Sequence, residues 1–176
     1  MVRFFILMFG ILCLIGCSSQ TQTIKTYPSE DSGHTITRGN TVSTYNHVEQ
    51  GKRLYLVGKY SQATKHFIRA ITNDHENYEA YYYMGLTQQK QNRFDRSISS
   101  FKNALKYAPE DILIHAQITY SMAVSWEKEG MMERAGELYK RALTLNPSHA
   151  PAKAGAERIQ LQLAKTHKKK KDPKAF

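Results

Sequence analysis

Cysteine is nearly absent from this chain of 176 residues, and the two present, Cys13 and Cys17, both stand near its start. Everything after residue 17 lacks a thiol, which excludes a disulfide framework, a thiolate metal cluster or a cysteine nucleophile there. Acidic residues are also few, 15 against 25 Lys and Arg, leaving a formal charge of +10. The apolar run at residues 4–15 has twelve members, short of the about 20 that a bilayer-spanning helix needs. None of the seven histidines lies three to five positions from another, so zinc-ligand spacing is missing. A Gly-rich phosphate loop, a G-x-S-x-G elbow and an H-E-x-x-H pair are missing as well. The pairs Glu127/Glu129 and Glu133/Glu137 have the spacing of charged helix faces. Together these absences predict that the chain is not an enzyme and needs no cofactor and no metal.

What the chain does have is a repeat. Residues 78–111 hold Tyr81, Gly85, Phe94, Ser97, Phe101, Ala104 and Pro109. A shift of 34 positions back gives His47, Gly51, Tyr60, Ala63, Phe67, Ala70 and His75. A shift of 38 forward gives Thr119, Ala123, Met132, Ala135, Tyr139, Ala142 and Pro147. Each copy reads as two antiparallel helices. Small residues on the first helix (Gly51, Gly85, Ala123) and on the second (Ala63, Ser97, Ala135) let the two backbones approach. Phe67, Phe101 and Tyr139 then fill the hollow against the neighbouring copy. Gly58, Asn92 and Gly130 occupy one equivalent turn position, where a left-handed residue ends the first helix. Pro109 and Pro147 stop the second helix. The four extra residues before the third copy, Ile112, Leu113, Ile114 and His115, amount to about one helical turn. They predict a longer first helix whose apolar side chains find partners.

The gap from Gly85 through Phe101 to Pro109 resembles the tetratricopeptide repeat. The resemblance implies an all-α fold, an α-α superhelix of three helical hairpins. The expected boundaries are 44–149 for the repeats (44–77, 78–111 and 112–149) and 150–166 for a capping helix. Ala152, Ala156, Ile159 and Leu163 give that cap its apolar stripe, with Leu161 flanking. Nothing equivalent precedes the first repeat, so its open end calls for the tether, a partner, or self-association with a second copy.

The ends of the chain carry a different message. Arg3, the apolar run and then Leu14, Ile15, Gly16 and Cys17 resemble a bacterial lipobox, with residues 1–16 a signal peptide and Cys17 acylated. Lipid chains would anchor the protein to the membrane durably when more than one is attached. Ser18 after the cysteine favours the outer membrane, facing the periplasm. Residues 17–43 read as a lipidated, disordered tether, with a short strand over 35–45 as the alternative. Residues 167–176 read as a basic disordered tail. From Lys165 onward six lysines face one acid, Asp172. Lys168, Lys169, Lys170 and Lys171 are candidates for contact with an anionic surface, and nucleic acid is not expected as a partner of an exported protein.

The family binds partners on a concave face lined by the first helix of each repeat. Matched position by position, that groove comprises Tyr45, Val48, Lys52 and Tyr55 in repeat one. Repeat two adds Glu79, Tyr82, Leu86 and Gln89, and repeat three Gln117, Tyr120, Val124 and Glu127. It is aromatic with mixed charge and does not resemble the basic clamp by which some members grip a carboxylate. The expected partner is an envelope protein or a peptide segment of one, held in this groove. The overall plan is similar to lipoproteins that assist pilus assembly or act as adaptors for cell-wall hydrolases.

Overall fold

The computed structural model describes residues 38–171, with side chains from 41 to 166. The signal peptide, Cys17 and most of the tether lie outside the described residues. Seven helices follow one another: α1 (Arg38–Leu56), α2 (Tyr60–Asn73), α3 (Tyr78–Lys90), α4 (Phe94–Tyr107), α5 (Ile112–Lys128), α6 (Met132–Leu145) and α7 (Ala150–Lys171). Helices α1/α2, α3/α4 and α5/α6 form three hairpins. Each second helix packs on the first helix of the next hairpin, and α6 packs on α7. The described chain is an all-α superhelical stack. None of its helices is long and apolar enough to cross a membrane.

The hairpin turns share one backbone solution. Gly58, Asn92 and Gly130 have positive φ of 75°, 57° and 87°. The residue after each donates its N–H five positions back: Lys59 to Leu54 at 2.9 Å, Arg93 to Gln88 at 2.8 Å and Met131 to Trp126 at 2.9 Å. A left-handed residue lets the chain satisfy the last helical carbonyls while reversing direction.

Close approach within a hairpin is set by a ring lying on a bare backbone. A Cβ added at Gly51 would sit 2.5 Å from the Phe67 ring, and one at Gly85 2.6 Å from Phe101. The same rings also reach forward. Phe67 stacks on Tyr83 of the next hairpin at 6.0 Å, and Phe101 is buried in one cluster with Ile118 and Met122. In the third hairpin the glycine position holds Ala123. The bare backbone comes instead from α7, where a Cβ on Gly155 would lie 2.6 Å from Tyr139. Ala152 and Ile159 of α7 are buried with Tyr139, Ala135 and Ala142, and Ala156 and Leu163 pack against them. The capping helix therefore completes the core of repeat three.

Three expectations need correction. Helix α1 begins at Arg38, six residues before the expected boundary at 44, and the described part of the 35–45 alternative is helix rather than strand. Helix α7 runs to Lys171 instead of ending at 166, so Lys168, Lys169, Lys170 and Lys171 belong to it; their side chains are outside the description. Helix α5 has 17 residues against 13 in α3, so the insertion does lengthen it by a turn. Yet only Ile114 packs inward. Ile112 and Leu113 are 61% and 63% exposed. Asp111 caps the new turn, accepting the N–H groups of Leu113 and Ile114 at 2.8 and 3.2 Å.

Replacing Gly85 by Ala should gain up to about 1 kcal/mol of helix propensity and lose more than that to overpacking against Phe101, about 1–3 kcal/mol. Urea unfolding should therefore show a lower midpoint with an unchanged slope. A raised midpoint would mean that the ring does not hold its place on that backbone.

Candidate functional site

The first helices stand side by side, and polar groups bridge each neighbouring pair. Between α1 and α3, Lys52 donates to Glu49 at 2.8 Å and pairs with Glu79, with its ammonium 5.0 Å from the centre of the Tyr83 ring. Burial alone would lower the pKa of Lys52, but the hydrogen bonds and charges of Glu49 and Glu79 outweigh it and hold the ammonium above its ordinary value. Between α3 and α5, Gln89 donates to the Ser121 carbonyl and to Ser125 Oγ, both at 2.7 Å. Gln117 Nε2 donates to the Tyr82 hydroxyl at 3.1 Å.

The bridge from α5 to α7 is the most elaborate. Gln117 Oε1 lies 3.1 Å from His149 Nε2, while His149 Nδ1 accepts the Ala152 N–H at 3.1 Å. Both contacts are met by one neutral tautomer, with the proton on Nε2. Further along, Arg158 makes two bonds of 2.7 Å to the Glu127 carboxylate, and the Tyr139 hydroxyl donates to it at 2.6 Å. The Arg158 hydrogen bonds hold the Glu127 carboxyl below its usual range. Burial opposes them and the Tyr139 bond adds to them.

These bridges engage much of the groove that the sequence suggests. Lys52, Gln89, Gln117 and Glu127 spend their polar atoms on neighbouring helices. Tyr55 meets the rings of Tyr60 and Tyr83 at 5.8 and 6.4 Å. Leu86 packs on the cluster of Phe101, Ile118 and Met122, and Tyr120 and Val124 pack on that of Tyr139, Ala142 and Ile159. Val48 is a correction: it is 2% exposed and sits in the core with Ala70 and Ala80, because its position on α1 faces α2 and α3 rather than solvent. Tyr45 is 65% exposed.

One cleft of about 300 Å³ opens between α3 and α5. Tyr78, Tyr82 and Tyr83 line it from α3, and Leu113, Ile114 and Ile118 from α5, with Glu79 and Gln117 supplying polar atoms. Of the matched groove positions it gathers Glu79, Tyr82 and Gln117. The sequence reading misses Tyr78 and Tyr83 on α3 and Leu113, Ile114 and Ile118 on α5. Their signal is the extra apolar turn itself, set opposite a run of tyrosines. Among the described residues no group of three or more His, Cys, Asp or Glu could hold a metal ion.

A stack of helical hairpins with a lined concave side is a helical-repeat domain, and comparison with known proteins shows what it is similar to. The tetratricopeptide repeat family model matches residues 84–150. Solved structures share the fold. The tetratricopeptide domain of Arabidopsis OM64 has a TM-score of 0.65 at 17% identity, covering 70% of this chain and 99% of its own. The second such domain of human RPAP3, in complex with the HSP70 peptide SGPTIEEVD, scores 0.64 at 16% identity, covering 69% and 98%. The Yersinia enterocolitica type III secretion chaperone SycD, in complex with a peptide of the translocator YopD, scores 0.63 at 18% identity, covering 73% and 98%. No curated protein matches the chain in sequence. The described array thus has the fold of these tetratricopeptide domains, and the family model covers its residues 84–150.

Two pH effects follow. Burial, His47 and Arg69 all lower the pKa of His66, whose Nδ1 lies 3.4 Å from that of His47. A lowered pKa means that the unfolded chain binds the proton first, so stability is held above about 6.5 and lost as pH falls through the folded value. A His66→Asn variant should lose less stability between pH 8 and 5 in urea titrations (~2–3 pH units across the His range). Glu127 acts lower on the scale. Its depressed pKa gives stability that is present above about 4.5 and lost below. Glu127→Gln should cost about 1–2 kcal/mol at neutral pH and flatten the acid limb; an unchanged limb would refute this assignment.

Proposed function

We propose that this protein is a membrane-anchored adaptor of the bacterial cell envelope, whose repeats capture a segment of another envelope protein. The N-terminal pattern ending in Cys17 supports the anchor, with the outer membrane, facing the periplasm, as its location. The observation that carries the binding role is the cleft between α3 and α5. It is lined by rings and aliphatic side chains, and its lip, Leu113, is 63% exposed. Tyrosine surfaces bind well because each ring offers a large apolar area and a polar tip at small entropic cost. Acidic tails of the kind held by human RPAP3 fit this face poorly, since Lys52 is already shared by two carboxylates and Arg158 is committed to Glu127.

A second reading gives the work to the lysines of residues 168–171, which would hold an anionic lipid or envelope polymer. Its support is that α7 continues through Lys171 and so carries those charges on one continuous helix. Salt separates the two. Contacts between exposed charges weaken once ionic strength shortens screening to about 8 Å, whereas an apolar cleft is much less sensitive.

The deciding experiment is crosslinking in intact cells with three variants: Leu113→Asp, glutamine at all four of Lys168, Lys169, Lys170 and Lys171, and Cys17→Ser. Helicity of each is checked first. Leu113→Asp should lose a specific crosslinked protein about tenfold or more, the loss of ~1.4 kcal/mol, while the glutamine variant keeps it. Cys17→Ser should leave the membrane fraction and lose incorporated palmitate. Retention of the crosslink in Leu113→Asp with loss in the glutamine variant would replace the adaptor by the surface binder.

A further inference from the structure

The cleft has a charge that the chain as a whole does not share. The protein is basic, with a formal charge of +10. The charged residue lining the cleft is a carboxylate, Glu79. Lys52 of α1, outside that lining, is divided between Glu49 and Glu79. One lysine against two carboxylates leaves a unit of negative charge. Tyr78, on the cleft wall, senses the same balance. Burial raises its pKa first, Glu79 adds to this, Lys52 opposes, and Asp111 at the start of α5 adds again. Asp111 is committed as the helix cap, where it accepts two backbone N–H groups and is held in place. Glu79 keeps a side-chain exposure of 39% despite its pairing and so faces whatever enters.

We propose that the occupant of this cleft is a partner segment carrying a large apolar side chain flanked by Lys or Arg, with the apolar group between Tyr82 and Leu113 and the cation beside Glu79. The inference rests on the cleft being the binding site. It adds the chemical class of the ligand. Volume sets the anchor: about 300 Å³ accepts the side chains of one or two leucines or an aromatic residue and is too small for a folded surface. Charge complementarity sets the flanks, since a cation near a half-exposed carboxylate is favoured and a second carboxylate there is repelled. The extra turn of α5 makes this possible. Without it, Leu113 and Ile114 would be absent and the tyrosines of α3 would face open solvent.

Three fluorescein-labelled peptides of equal length test this by anisotropy against the full-length, detergent-solubilised protein. One carries a leucine pair flanked by lysines, one the same pair flanked by glutamates, and one an alanine pair flanked by lysines. The lysine-flanked leucine peptide should bind best, the glutamate-flanked one about two- to fivefold more weakly, as a half-exposed charge pair allows. The alanine peptide should show no saturable binding. Glu79→Gln should narrow the difference between the two leucine peptides, and Leu113→Asp should weaken both. If both leucine peptides need Leu113 but bind equally, or the glutamate-flanked one binds better, the charge assignment is wrong and the cleft remains the site. If no leucine peptide responds to Leu113→Asp, or none binds, the cleft is not the site and both readings fall.

Discussion

A planar ring resting on a helix backbone that carries no Cβ recurs three times in this domain, and the spacing of the stack depends on it. Phe67 lies on Gly51, Phe101 on Gly85 and Tyr139 on Gly155. Each contact removes about a methyl group's thickness between two helices. Interiors are packed to crystalline density, so even one added methyl must displace something. The first two rings bind their own hairpin, and through Tyr83 and Ile118 they also hold the next. One kind of contact thus sets both the pitch within a repeat and the step between repeats.

Polar contacts play a different part. Ser97 and Ser125 approach to 2.7 Å in the interior, and Ser100 donates to Gln88 at 2.8 Å. Such groups stabilise little on net but are costly if left unmatched. The first favours one register of α4 against α5 and the second one register of α4 against α3. The same economy explains the concave side. Lys52, Gln89 and Glu127 are held by neighbouring helices, so the side available to a ligand narrows to the cleft where α5 outgrows α3.

Much of this was legible in the residues. The rings, the small residues and the turn positions Gly58, Asn92 and Gly130 follow from backbone sterics, which sequence spacing reports directly. The length of α5 followed too, because four residues fit one turn. What spacing does not report is which of two exposed-looking faces meets another helix. Val48 and Tyr45 stand three positions apart on α1, and only the placement of α2 and α3 buries the first. Helix ends were the other gap. The residues before 44 and after 166 are polar, and nothing in a polar run marks whether a helix continues into it. Gly155 was overlooked because Ala123 already filled its expected role in the pattern.

That third ring has a consequence for how the molecule is made. The first two hairpins contain both halves of their tight contact, so each can close once its second helix exists. The third cannot, because Tyr139 waits for Gly155, and Glu127 waits for Arg158. A chain interrupted before α7 would present a bare tyrosine and a carboxylate deprived of its guanidinium partner. Proteases that survey unfinished proteins act on such loosened segments. The third hairpin therefore owes its closed core to the last helix, and its stability arrives only once the chain extends through Arg158.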